Sequence, residues 1–296
     1  MTTLVSAVAA PDLVGSLRHT LNKRLEEVLP SPADDRDLVC LAMRESTLAP
    51  GKRIRPMLMI LAARDLGYDG SELFDLGCAV EMIHSASLIL DDMPCMDNAA
   101  LRRGRPTIHR HFGEDVAVLA AVALLSHAFR VVASLPNVAP PLRNRLVASL
   151  ADVVGTQGLV RGQYKDLREG NGARRAEDII DTNELKTGVL FGTALEIAGL
   201  VAGASDEVRQ SLRNFAVELG QAFQLYDDLQ DRRDSSSTGK DTCKDDGKST
   251  LLALLGTDEV RRRLHAHMNA ANAELTHVYG PGNTISQYLG TLFHIA

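Results

Sequence analysis

The chain contains no tryptophan, and aromatic residues make up only 4% of its 296 positions. Strand-rich proteins draw on aromatic and β-branched side chains, so this shortage, with Ala and Leu abundant, argues for an all-α protein. Cysteine is scarce as well. Cys40, Cys78, Cys95 and Cys243 show neither disulfide density nor paired metal spacing, which fits a reducing cytosol. There is no long basic run, and 32 Lys and Arg are outnumbered by 38 Asp and Glu, giving a net charge of -6. That balance argues against a nucleic-acid partner. The most apolar internal run, residues 116–125, is too short to span a bilayer and reads as a core helix, so no transmembrane segment is expected. Residues 1–10 lack the positive charge that precedes the apolar part of a signal peptide and read as a frayed leader. A cytoplasmic protein is expected. With no composition break and no solenoid-length repeat, residues 1–296 read as a single domain.

What the chain does have is two acidic helix ends. An apolar helical run over residues 79–90 closes on Asp91-Asp92-Met93-Pro94-Cys95-Met96-Asp97, and Leu101-Arg102-Arg103-Gly104-Arg105 follows. Three carboxylates at the end of a buried helix repel each other and are costly to desolvate unless a cation neutralises them. Oxygen ligands without His or Cys on the same face suit a hard ion, Mg²⁺ before Zn²⁺. Such an ion keeps positions for substrate phosphates, whose oxygens the neighbouring arginines are shaped to grip. The plain alternative is a solvated acidic turn. The second stretch, Asp227-Asp228-Leu229-Gln230-Asp231, weighs against it, because it too ends an apolar run, residues 215–226. Asp227 and Asp231 are four apart and share a helix face. Asp91 and Asp97 are six apart, so Pro94 is expected to end the helix and let the extra residues loop out until Asp97 rejoins Asp91. Together the two ends suggest one metal–diphosphate site at the mouth of an apolar pocket.

Apolar periodicity and breakers predict helices over residues 13–29, 37–47, 57–66, 73–90, 115–133, 143–167 and 189–201, with an amphipathic segment from 251 to the end. Gly51-Lys52-Arg53-Ile54-Arg55-Pro56 places cations at a helix entry, where free N–H groups favour anions, so Lys52 and Arg55 form a second candidate phosphate clamp. Surface charge at a helix start is the alternative. His84 lies two turns before the carboxylates, where a lone His is more often structural than a ligand. Lys186 and Thr187 stand beside an apolar wall and can hold phosphate or stabilise positive charge. The glycines around residue 160 are expected to let helices approach closely. Residues 232–249 form a polar loop of a length that is usually functional or disordered.

These residues resemble the motifs of the trans-isoprenyl diphosphate synthase (polyprenyl synthetase) family. The likeness runs over about residues 48–255 and is greatest to bacterial geranylgeranyl diphosphate synthases of carotenoid pathways. Asp91 to Asp97 matches the first aspartate-rich motif in its longer form, with two additional residues, and Asp227 to Asp231 matches the second. The resemblance implies an isoprenoid synthase-type helical bundle around a central hydrophobic cavity, assembled as a homodimer. It implies Mg²⁺ held by Asp91, Asp92, Asp97, Asp227, Asp228 and Asp231. Isopentenyl diphosphate would be bound by Lys52, Arg55, His84 and Arg103. The allylic diphosphate would meet Arg102, Lys186, Thr187 and Gln224, with Lys240 and Lys248 from a lid loop. The implied reaction ionises the allylic diphosphate and adds one five-carbon unit per cycle, the departing diphosphate taking up the released proton. Gln230 departs from the apolar residue common in the second motif, and the C-terminus is short.

Product length is expected to be a packing question. One turn before Asp91 stand Ala86 and Ser87, where farnesyl-length enzymes of the family often carry an aromatic, and Ile83 and Met82 lie a turn further. Small side chains there leave room for roughly one more isoprene unit and favour a C20 product over C15. A farnesyl or longer-chain synthase is the nearest alternative. A terpene cyclase is disfavoured by the second Asp-rich motif, and a non-catalytic partner subunit by the intact ligand sets.

Overall fold

The computed structural model of the chain describes residues 10–169, 174–231 and 250–293. Four helices open the fold: α1 (Ala10–Val28), α2 (Leu38–Leu48), α3 (Ile54–Asp65) and α4 (Glu72–Asp91). Asp37 caps α2, its carboxylate accepting the Cys40 amide at 3.2 Å. In α3 the eight residues from Pro56 to Ala63 are all buried, and α4 is buried on nearly every face. A helix without a polar face must be covered all round, which places α3 and α4 at the centre.

After α4 the chain forms a loop and then an antiparallel hairpin, β1 (Leu101–Arg102) with β2 (Arg105–Pro106), the one sheet among the described residues. Its two-residue turn is Arg103-Gly104, both at positive φ (54° and 75°), the combination that matches strand twist. α5 (Ile108–Phe112), α6 (Glu114–Ala133), α7 (Pro140–Val154) and α8 (Leu159–Glu169) follow. The single helix expected over residues 143–167 is therefore two. The Gly155 amide still bonds to Ala151 O at 2.9 Å, but the chain then turns so tightly that a Cβ on Gly158 would lie 2.0 Å from Val153 O.

Next come α9 (Ala176–Asn183), a five-residue π-helical turn (Glu184–Gly188) and α10 (Val189–Val201), the last with the expected bounds. α11 (Asp206–Asp231), α12 (Leu251–Leu255), α13 (Thr257–Tyr279) and α14 (Thr284–Leu292) complete the described chain, so the C-terminal segment is three helices. The main core joins α1 to α4 with α6, α7, α10 and parts of α11, α13 and α14. A smaller cluster, including Ile179, Leu225, Leu252 and Val260, lies among α9, α11, α12 and α13.

By length and composition, α4 and α6 could each cross a membrane, so the short apolar run expected at 116–125 belongs to a twenty-residue helix. Within the protein α6 packs chiefly on α4, and Ala117, Ala120, Ala121, Leu124 and Ala128 are among its buried residues. Its outer face leaves Val118, Leu119 and Val122 exposed.

Candidate active site

α4 ends at Asp91, and the next residues curl back rather than continue. The Asp97 amide donates to Asp91 O at 2.9 Å, and the Asn98 amide to Met93 O at 3.0 Å. The backbones of Asp91 and Asp97 therefore meet at the helix end although the two are six positions apart. Burial pushes the Asp91 carboxyl up to about 6, Lys186 and Arg102 draw it down, and Asp97 and Asp92 add to the rise. Asp92 turns aside. Its carboxylate, 4% exposed, receives Arg102 in a fork, Nε at 2.7 Å and Nη2 at 2.6 Å. Among the described residues no three Asp, Glu, His or Cys side chains converge to cage an ion by themselves. The donors at this helix end are still all oxygen, and Asp91 carries a buried charge that a cation would relieve. The residues present thus fit a hard ion that takes few carboxylates and fills its shell with water and phosphate.

Lys186 and Thr187 lie on the π-helical turn, a helix irregularity frequent at functional sites. The Lys186 ammonium bonds to Asp166 Oδ2 at 2.8 Å, and the fields of Asp91, Asp166 and Asp97 outweigh burial to hold its proton tightly. Two glycines explain how the turn is placed. A Cβ on Gly162 of α8 would fall 2.7 Å from the backbone of Leu185 and Lys186, and one on Gly220 of α11 would fall 2.9 Å from Gly188 Cα. The close approach expected of glycines near residue 160 is thus made by Gly162.

A cleft of about 350 Å³ opens beside this helix end, and its lining includes Lys52, Arg55, His84, Arg103 and Asp227. Arg55 lies within the first turn of α3, which starts three residues earlier than expected. Burial pushes its guanidinium down to about 10, against the pull of Glu81 and Asp227, so it stays charged at neutral pH. Its face stacks 4.6 Å over the Phe191 ring, and its buried Nε has no hydrogen-bond partner among the described residues. Burial and the surrounding arginines, Arg55 first, drive His84 well below its usual range. As a neutral ring its Nε2 accepts from Arg55 Nη1 at 3.5 Å. Arg103, at the hairpin tip, lies so close over Gly51 that a Cβ there would sit 2.7 Å from Nη1. The hairpin therefore sends one arginine to the acidic end of α4 and the next to the cleft.

Aromatic side chains, scarce in the chain, gather at this cleft. Phe191, Phe223, Phe293 and Tyr226 form a chain of ring contacts with centroid separations of 5.7, 6.3 and 5.1 Å. Gln224 donates to Asp228 Oδ1 at 2.9 Å, four residues on along α11. Lys240 and Lys248 lie outside the described residues, as does the side chain of Asp231. On α4, Met82, Ile83 and Ala86 are fully buried, while Ser87 is half-buried with its hydroxyl on His84 O at 2.8 Å.

Sequence reading overlooked Arg53, Glu81, Asp166 and the C-terminal Phe293. Glu81 could have been found, as a carboxylate inside an apolar helical run. Asp166 had a weaker signal, a lone acid one turn past Gly162. Nothing local marks Phe293, which reaches the cleft only through the packing of α14 on α1 and α3.

Residues 37–279 match the polyprenyl synthetase family model. The chain is 52% identical over 286 residues to a geranylgeranyl diphosphate synthase of Pantoea ananas, covering 95% of this chain and 93% of that one. It is 49% identical over 284 residues to a geranylgeranyl diphosphate synthase of Pseudescherichia vulneris, covering 95% and 92%. The fold superposes on a Helicobacter pylori geranyltransferase solved with magnesium and isoprenyl diphosphate, with a TM-score of 0.87, 27% identity and 99% of each chain covered.

Proposed function

The chain belongs to the polyprenyl synthetase family, and from that membership we propose that it is a Mg²⁺-dependent prenyltransferase condensing isopentenyl diphosphate with allylic diphosphates to give geranylgeranyl diphosphate. The observation that carries the reading is the cleft beside α4. Lys52, Arg55 and Arg103 converge there, the buried Arg55 Nε has no partner among the described residues, and four aromatic rings adjoin. Such a place suits a molecule with a doubly phosphorylated head and an apolar body.

Lys52, Arg55, Arg103 and neutral His84 hold the isopentenyl diphosphate, whose double bond faces the acidic end of α4. The allylic diphosphate lies at that end, where Lys186 and Thr187 orient it and Arg102, fixed by Asp92, adds positive charge. Asp91 and Asp97, with Asp227, Asp228 and Asp231, would hold Mg²⁺, which when bound would supply further neutralisation of the leaving group. The allylic C–O bond breaks, the isopentenyl double bond attacks the resulting cation, and a proton passes to the departing diphosphate. No side-chain base is needed. Lys240 and Lys248, outside the described residues, are assigned to the allylic diphosphate. Ala86 and Ser87, with Ile83 and Met82 below, form the floor that sets the C20 length.

The exposed Val118, Leu119 and Val122 of α6 give the surface for a homodimer, and a single domain over residues 1–296 working in the cytoplasm of a carotenoid-making cell completes the reading. The test is product analysis from dimethylallyl diphosphate, labelled isopentenyl diphosphate and Mg²⁺, with a chelator control. A chelator-sensitive C20 product supports the proposal. A C15 product leaves the chemistry and removes the floor, and no product at all overturns the proposal.

A further inference from the structure

Arg53 stands in sequence between two cations assigned to the diphosphate, yet its guanidinium is spent inside the protein. Nη1 donates to Glu81 Oε1 at 2.6 Å, Nε to Asn22 Oδ1 at 3.0 Å and Nη2 to Ala49 O at 2.9 Å. Both side chains of the Arg53–Glu81 pair are only 3% exposed. The Arg53 backbone is left-handed, with φ 54°, a conformation disfavoured for a residue with a Cβ and kept only where its surroundings hold it. Those three bonds hold it. They fix the turn at residues 50–53 against α1 and α4, and Lys52 and Arg55 flank that anchored residue on the cleft wall.

Glu81 is the second half of the observation. It lines the same cleft, one turn before His84 on α4. A carboxylate there faces a space assigned to an anion. Its field reaches the other cations, because it opposes the effect of burial on both Arg55 and Arg103.

We infer that Arg53 is a positioning and charge-masking residue for this cleft: it holds the turn that presents Lys52 and Arg55, and its ion pair cancels the Glu81 charge that would repel a diphosphate. The inference rests on reading the cleft as the isopentenyl diphosphate site. Its test measures KM for isopentenyl diphosphate and for the allylic substrate separately, with unfolding midpoints, in the full-length protein. The variants are Lys52→Ala, Arg53→Met, Arg53→Lys, Glu81→Gln and the Arg53→Met/Glu81→Gln double. Arg53→Met should raise KM for isopentenyl diphosphate on the order of tenfold, with KM for the allylic substrate changed by less than about twofold. Glu81→Gln added to it should recover the part of that rise caused by the unmasked charge and leave the part caused by the loosened turn, and Arg53→Lys should fall between. A normal KM in Arg53→Met, or a double variant no better than the single, overturns the inference. Should Arg53→Met not fold, Glu81→Gln decides alone: with the anion gone its KM should not rise, and a rise overturns the inference. Lys52→Ala separates the two failures. An unchanged KM there removes the site reading, whereas a raised KM beside a normal Arg53→Met removes only the role of Arg53.

Discussion

Replacing Gly162 with alanine tests how the π-helical turn is held. The new Cβ would stand 2.7 Å from Leu185 C and Lys186 N, about 0.7 Å inside ordinary van der Waals contact at 3.4 Å. Neighbouring backbone cannot rotate away as a side-chain tip can, so α8 or the turn must move. Overpacking of this kind costs about 1–3 kcal/mol. The better helix propensity of alanine returns about 0.5–1 kcal/mol, leaving a net loss of roughly 1–2 kcal/mol. At about 2–4 °C per kcal/mol the thermal midpoint should fall by roughly 2–8 °C. The displaced backbone is that of Lys186, whose ammonium is held on Asp166, so kcat should fall by roughly tenfold or more. Gly290→Ala is the control of opposite sign. That glycine is exposed on α14 with nothing within 4 Å of its added Cβ, and the substitution should stabilise by about 0.5–1 kcal/mol with unchanged kcat. Circular dichroism melts at one fixed protein concentration and single-turnover rates measure both. A Gly162→Ala protein as stable and as fast as the wild type would refute the packing argument.

Three further outcomes follow from the same geometry. Asp91 titrates at about 6 in the folded, metal-free protein against about 3.9 in an unfolded chain. The folded state thus binds that proton more tightly, and stability should fall as pH rises from about 4 to about 6 and stay lower above it. Asp91→Asn should flatten that segment and raise the melting temperature of chelator-treated protein at pH 7.5 while abolishing Mg²⁺-dependent turnover; an unchanged pH–stability profile counts against the burial argument. Arg102→Met strands the Asp92 carboxylate and should cost about 3–5 kcal/mol in urea unfolding, part of it recovered by adding Asp92→Asn, and a loss below about 1 kcal/mol would contradict it. Ala86→Phe, at a fully buried position of α4, should shift the product from C20 to C15, and a retained C20 product would sink the floor assignment.

The helices that sequence reading placed best are those whose apolar pattern is densest. Residues 189–201 match α10 in full, and 73–90 and 115–133 match α4 and α6 to within a residue at each end. Asp91 and Asp97 were expected to meet through a loop begun at Pro94; α4 instead ends at Asp91, three residues before the proline, and the Asp97 amide on Asp91 O closes the loop. The break between α7 and α8 escaped notice because helical spacing runs across Gly155 and Gly158, and glycine marks a turn only when something else demands one. The π-helical turn leaves no compositional trace. Arg53 was hidden by its neighbours, since three cations in four residues look like one clamp until the left-handed backbone turns the middle one inward. The gathering of Phe191, Phe223, Tyr226 and Phe293 comes from α10, α11 and the residue that follows α14, and no local window contains it.

The π-helical turn has a consequence for what lengths of chain this segment tolerates. Each residue of an α-helix advances the side-chain direction by about 100°. The extra residue wound into Glu184–Gly188 sets the angular phase between α9, which buries Ile179 in the smaller cluster, and α10, which buries Leu190 and Phe191 in the main core. Deleting one residue there would let the turn relax to regular helix and swing α10 by about 100° relative to α9. Phe191 would leave its place under Arg55, and Lys186 would leave Asp166. Substitutions along this stretch change one side chain at a time, whereas a single deletion rotates a whole helix, so the spacing between the two helices is under tighter constraint than most of the letters within it.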